Sequence, residues 1–211
     1  MSEPLGLLLA MMQPPESLEE EFQDWYDTEH IPERANCEGF LSALRFVCLE
    51  GFPRYVAIYD LQHHGVLQEP GYKAISGQNF SPWSKRVLGR VHGQKRLEGP
   101  QIYPGNRRYG EAGHAARMGL LRLGGVTEGD QETVVELLRK TFEGREDVLQ
   151  LRVWRSNYHG DFSFVAMVEA HAGFTFDQVD LNQLGKYRKN VDLLNLYSPY
   201  WRRGALPGVF A

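Results

Sequence analysis

The sequence predicts an α+β fold: two tandem βαββαβ halves that pack sheet to sheet as an α/β barrel. Three observations predict it. Apolar and amphipathic segments follow the order β-α-β-β-α-β, and this order occurs twice along the 211 residues. The strand Tyr55-Val56-Ala57-Ile58-Tyr59-Asp60 has a counterpart in Phe164-Val165-Ala166-Met167-Val168-Glu169. A stretch rich in Gly, Arg and polar residues, 105–113, separates the copies as a linker would. The halves are therefore expected at residues 1–104 and 117–211, the second degenerate, with a linker at 105–116. The repeated pattern is the ferredoxin-like motif. Helices cover one face of each such sheet, so the other faces are expected to cover one another, leaving a central small-molecule cavity.

In the first half the apolar run 7–12 reads as a strand. Ser17 and Glu20 form a capping-box signature that starts a helix, with Leu18, Phe22, Trp25 and Tyr26 on one stripe. Pro32 is expected to end it near His30 or Ile31. Strands follow at 40–48 and 55–61, with a turn at Gly51, Phe52 and Pro53. Ser81 and Pro82 occupy N-cap and first-turn positions of a second helix, and 95–103 reads as the closing strand. In the second half, strands are expected at 118–123, 148–154 and 162–168. Val134, Val135, Leu137, Leu138 and Phe142 supply a helical stripe. A last helix and strand fall between Phe176 and Trp201.

Composition bounds the function. A chain of this length buries a core without a disulfide or metal. Its net charge of −4 and pI near 6.0 argue against a general nucleic-acid binder, with Arg107, Arg108 and Arg117 as a local basic cluster on a solvated face. Cys37 and Cys48 flank one predicted strand too far apart to bridge, which fits a reducing, cytoplasmic setting. The apolar run 5–12 is too short to cross a bilayer. No phosphate loop, dinucleotide fingerprint or nucleophile elbow is present. His63 and His64 match no zinc spacing, so no metal is expected.

The informative stretch is Trp25-Tyr26-Asp27-Thr28-Glu29-His30-Ile31-Pro32-Glu33-Arg34. A helical wheel puts Glu29 on the apolar stripe, where a carboxylate needs a partner, Arg34 or Arg45. His30 lies beside it. Burial and the helix C-terminus act on its charge in opposite directions, and either leaves it poised as an acid or base near neutral pH. The aligned positions of the second half are Leu138, Arg139, Phe142 and Glu143, so only the first copy carries the set. Arg45, Tyr55 and Tyr59 share strand faces that bind an acidic group if they face the barrel and cover helices if they face outward.

The segments 21–34, Gly39-Phe40-Leu41-Ser42-Ala43, Arg54-Tyr55-Val56-Ala57-Ile58-Tyr59 and Phe80-Ser81-Pro82-Trp83-Ser84-Lys85-Arg86 together resemble the EthD-like branch of the dimeric α/β-barrel superfamily. The resemblance covers about the first hundred residues. It implies a ferredoxin-like barrel in a superfamily of cyclases, isomerases, cofactor-independent monooxygenases and haem enzymes. The expected activity is cofactor-independent proton transfer (isomerase, cyclase or lyase) on an aromatic, polyketide-like or lactone substrate. His30 and Glu29 are the catalytic candidates; Trp25, Tyr26, Arg45, Tyr55 and Tyr59 are the substrate-binding ones. The alternatives are a haem-dependent or cofactor-free oxidoreductase, with His92 as a candidate axial ligand, and a non-catalytic ligand-binding or stress-associated module. A homodimer is an open possibility through exposed sheet edges or helix faces.

Overall fold

In the computed structural model, which describes residues 3–200, eight antiparallel strands close into one barrel. The first half contributes β1 (Gly6–Gln13), β2 (Leu44–Glu50), β3 (Tyr55–Leu61) and β4 (His92–Tyr103), paired in the order β4-β1-β3-β2. The second contributes β5 (Arg117–Gly124), β6 (Val148–Tyr158), β7 (Asp161–Ala170) and β8 (Val191–Pro199), in the matching order β8-β5-β7-β6. Register repeats as well: Ala10 faces Ala57 in one half and Leu121 faces Ala166 in the other. The β2–β8 and β4–β6 pairings join the sheets and close the barrel among the described residues.

The helices lie outside. α1 (Glu19–Trp25) runs through a π turn, Tyr26–His30, into α2 (Ile31–Ala35). α3 (Pro70–Ala74) and α4 (Pro82–Leu88) complete the first half, and α5 (Gln131–Phe142) covers the second.

Several local expectations need correction. Ser17 sits in a 3-10 turn and caps nothing; α1 begins after Leu18 without a side-chain cap. The helix passes Pro32 and stops at Ala35, because the π turn ends just before it. The Ile31 N–H reaches back five residues to the Tyr26 carbonyl, and Pro32 then falls in a first turn that does not need its N–H. β2 starts at Leu44, since Phe40 makes only one bridge, to Leu61. In place of a last helix the second half has 3-10 turns over Leu181–Asn190, broken at Gly185 (φ 56°).

Alternation along the strands divides the core into three layers. Leu7, Leu9, Met11, Phe46, Ile58, Met118, Leu120, Trp154, Met167 and Tyr197 point inward and pack together. An eight-stranded barrel is just wide enough to be filled by such side chains. The expected central cavity is therefore a packed core. Leu8, Met12, Phe22, Trp25, Tyr26, Tyr55 and Tyr59 form the layer under the first-half helices, and Leu121, Leu138, Phe142, Phe164, Phe174 and Phe176 the layer under α5.

One polar cluster is built into the barrel. Arg152 on β6, fully buried, lies between Asp60 (2.7 Å) and Glu169 (2.9 Å), the two carboxylates at equivalent ends of β3 and β7. The segment between the halves crosses this end of the barrel. The Tyr109 N–H donates to Asp60 and the Gly110 N–H to Glu169, at 2.9 and 2.8 Å. Arg107 and Arg108 pair with Glu111 rather than forming a bare basic patch. Removing the cation would leave two buried carboxylates facing one another. Arg152→Met is expected to lower unfolding stability by roughly 3–5 kcal/mol, read from urea unfolding; a loss under about 1 kcal/mol would show that the cluster is not a structural tie.

Candidate active site

An apolar cavity lies between the first-half sheet and its helices, on the outer face of the barrel. Its volume is about 340 Å³, and Leu8, Ala10, Met12, His30, Arg34, Tyr59, Tyr72, Phe80, Leu88 and Arg96 are among its lining. Three polar groups on this wall are more than nine-tenths buried: His30, Arg34 and Tyr59. Each has an atom without a hydrogen-bond partner among the described residues: His30 Nδ1, Arg34 Nε and Tyr59 OH. Buried polar atoms are nearly always paired, so the Arg34 and Tyr59 orphans on one cavity call for a ligand or water, while His30 Nδ1 lies 4.0 Å from Glu33, which does not line the cavity. No Asp or Glu among the described residues lines the cavity.

Two sequence segments meet to build this wall. Glu29 does not pair with Arg34 or Arg45; its Oε1 accepts hydrogen bonds from the hydroxyls of Ser81 (2.6 Å) and Ser84 (3.0 Å) at the start of α4. The Ser84 hydroxyl in turn accepts from the Trp25 indole N–H at 2.9 Å. The His30 ring stacks on Trp25, with centroids 4.4 Å apart, and meets the edge of Tyr26 at 5.4 Å. Glu29 is thus linked to His30 through Ser84 and Trp25. This explains why an acid sits on the apolar side of the helix.

Electrostatics fix the protonation states. Burial, then the Arg34 and Arg45 charges, hold the His30 pKa well below the usual histidine value, so the ring is neutral rather than poised for a cationic role near pH 7. Burial raises the Tyr59 phenol well above its ordinary value and the Tyr26 phenol to about 12, so both stay protonated. Arg34 is 2% exposed and has no ion-pair partner among the described residues; it donates to the Ile75 carbonyl (3.2 Å) and lies 5.2 Å from the Tyr72 ring centre. A buried cation without a counter-charge is costly.

Tyr59 is the one sequence-named binding residue whose side chain lines the cavity, while Trp25 and Tyr26 stand behind His30. Arg45 and Tyr55 are engaged elsewhere. Arg45 pairs with Asp27 (3.0 Å) and Gln23 within the rings of Phe22, Tyr26, Tyr55 and Tyr200, and the Tyr55 hydroxyl donates to Glu19. The strand faces carrying Arg45, Tyr55 and Tyr59 point toward the helices, not into the barrel. Sequence reasoning missed Tyr72, Phe80 and Arg96 as lining residues. Arg96 carried one signal, its alternation with inward-facing Leu97 on β4. His63 and His64 are half-buried beside Glu69 and Glu98.

No protein-family profile matches the sequence, and no curated protein sequence does. Solved structures do. The chain is similar to an anthrone oxidase-like protein (TM-score 0.62, 12% identity, 94% of this chain and 92% of that one). It is also similar to a putative chlorite dismutase (0.59, 12%, 95% and 96%) and to a haem-binding protein from Thermus thermophilus (0.52, 8%, 93% and 91%). The chain therefore has the dimeric α/β-barrel fold, here closed by two halves of one polypeptide. No helix among the described residues is long and apolar enough to cross a membrane.

The residues present do not fit a haem. His92, His114, His159 and His171 are exposed, and the layer under α5 is filled by Phe142, Phe174 and Phe176.

The buried neutral ring makes stability depend on pH. The unfolded chain binds a proton at His30 below about pH 6.5 and the folded chain does not, so stability falls as pH drops through that value. His30→Phe should flatten urea stability between pH 7 and 5; an unchanged slope would contradict a buried neutral ring. Ser84→Ala, which strands the Trp25 N–H, should cost about 1–3 kcal/mol, measured in the same way.

Proposed function

We propose that this protein is a small-molecule enzyme that moves a proton at His30, acting on a flat aromatic, polyketide-like or lactone compound. One observation carries the reading: a neutral imidazole, a protonated phenol and a guanidinium converge on one apolar cavity, and the phenol OH and the guanidinium Nε have no hydrogen-bond partner among the described residues. A neutral imidazole can accept a proton from an acidic C–H or O–H of the bound compound. The oxygen that gains negative charge is held by the Arg34 Nε–H and the Tyr59 hydroxyl, donors already fixed on the cavity wall. Returning the proton at another atom of the compound completes an isomerisation, cyclisation or elimination. Trp25 holds the ring of His30, and Glu29 holds Trp25 through Ser84. The resemblance of residues 21–34 and 80–86 to the EthD-like branch supports placing the chemistry here, since residues of those segments build the wall.

A second reading shares the first step. The carbanion left by deprotonation is electron-rich and can add O₂, one oxygen atom then remaining in the compound as a carbonyl and the other leaving as water; the likeness to the anthrone oxidase-like structure favours this reading. Oxygen uptake coupled to substrate loss distinguishes it from isomerisation.

A thermal-shift screen of aromatic acids, phenols and lactones tests the site. A ligand at 100 times its Kd contributes about 2.7 kcal/mol, which raises Tm by roughly 5–11 °C for a chain of this size. His30→Ala is expected to abolish turnover of the hit, and Arg34→Met to abolish its thermal shift. Because Arg34 lacks a counter-charge among the described residues, Arg34→Met without ligand should gain roughly 0.5–2 kcal/mol. Unchanged turnover in His30→Ala, or a strong loss of stability in Arg34→Met, would refute these roles.

A further inference from the structure

Glu33 lies one turn beyond His30 and does not line the cavity. Its Oε2 is enclosed and has no hydrogen-bond partner among the described residues, and it lies 4.0 Å from His30 Nδ1, which is also enclosed and unpaired. The Glu33 side chain as a whole is 27% exposed. It is the one carboxylate within 4.0 Å of the ring among the described residues.

A neutral imidazole has an N–H on one nitrogen and a lone pair on the other, and the surroundings decide which. A lone pair on Nδ1 facing a carboxylate oxygen is repulsive, whereas an N–H there is attractive. We propose that Glu33 is a positioning residue that holds His30 in the Nδ1–H form, making Nε2 the atom that takes the proton from a bound compound. The inference rests on the proton-transfer reading of the cavity and names the base atom within it.

The other groups around the ring do not supply this function. Arg34 and Arg45 repel a proton on His30, and Glu29 is committed to Ser81 and Ser84. Trp25, Tyr26 and Phe80 present uncharged rings. In the step itself, the bond from the compound to its proton breaks and an Nε2–H bond forms. The electron pair stays on the compound, against Arg34 and Tyr59, and the imidazolium faces the Glu33 carboxylate. Contacts of this kind are commonly long without ligand and tighten in the complex.

The tautomer can be read without a substrate. In ¹⁵N-labelled protein at pH 7, two-bond ¹H–¹⁵N correlation spectra should show His30 with a pyrrole-type Nδ1 and a pyridine-type Nε2. His30→Gln assigns the signals among the seven histidines. In Glu33→Met the His30 pattern should shift toward the Nε2–H form, while Glu33→Asp should retain the wild-type pattern. If Glu33→Met does not fold, acid titration of the wild type serves instead, since protonating Glu33 should cause the same shift. An Nε2–H pattern in the wild type, or no change on loss of the carboxylate, would overturn the proposal. Unchanged turnover in His30→Ala with the expected tautomer would instead refute the proton-transfer reading alone.

Discussion

Filling the barrel interior is the constraint on which the rest of the structure depends. Two four-stranded sheets close on one another, and alternate residues of all eight strands occupy the space between them. Arg152 fixes one end of this core by holding Asp60 of one half and Glu169 of the other, and the segment between the halves closes over it. With the interior filled, the apolar cavity beside His30 lies instead where the first-half sheet meets its helices.

The two halves resolve that choice differently, and small changes at equivalent positions are enough. Ala10 on β1 lines the cavity, while its counterpart Leu121 on β5 packs under α5. Leu8 and Tyr59 form one paired wall of the cavity; Gly119 and Val168 occupy the corresponding places. A side chain at Gly119 would strike Phe176 at 2.8 Å and Phe174 at 3.1 Å. The second half thus fills with aromatic rings the volume that the first half keeps open. The Trp25–His30 stack and its Glu29–Ser84 support also occur in the first half alone among the described residues; Arg139 and Glu143 instead form a surface pair near Tyr103.

Much of the fold was legible in the sequence because strand alternation and the repeated β3-like segment are local signals. The strand Tyr55–Leu61 was read at its observed bounds, and Ser81 caps α4 by accepting from the Ser84 N–H, as its position before Pro82 implied. The π turn was not legible. A proline argues for a helix end, and only the five-residue hydrogen bond from Ile31 to Tyr26 shows how the helix continues. His30 was visible from its place beside an apolar stripe, but its surroundings were not. Whether Arg34 or Arg45 reached Glu29 depended on how α4 packed against α1, roughly fifty residues away in sequence. The strand register that turned Tyr59 outward was equally hidden, because every residue of β3 on both faces is buried.

The placement of the ligand site outside the barrel is tested most directly with methionine methyl labels. Met12 lines the cavity, whereas Met118 and Met167 lie in the barrel interior. Protein carrying ¹³C-methyl methionine would be titrated with 2-naphthol, 2-naphthoate and coumarin as phenol, acid and lactone probes. The expected result is a saturable shift of the Met12 methyl with at least one probe, lost in Arg34→Met, while Met118 and Met167 stay in place. Shifts at Met118 and Met167 with Met12 unmoved would put the ligand inside the barrel and contradict a site built on His30, Arg34 and Tyr59.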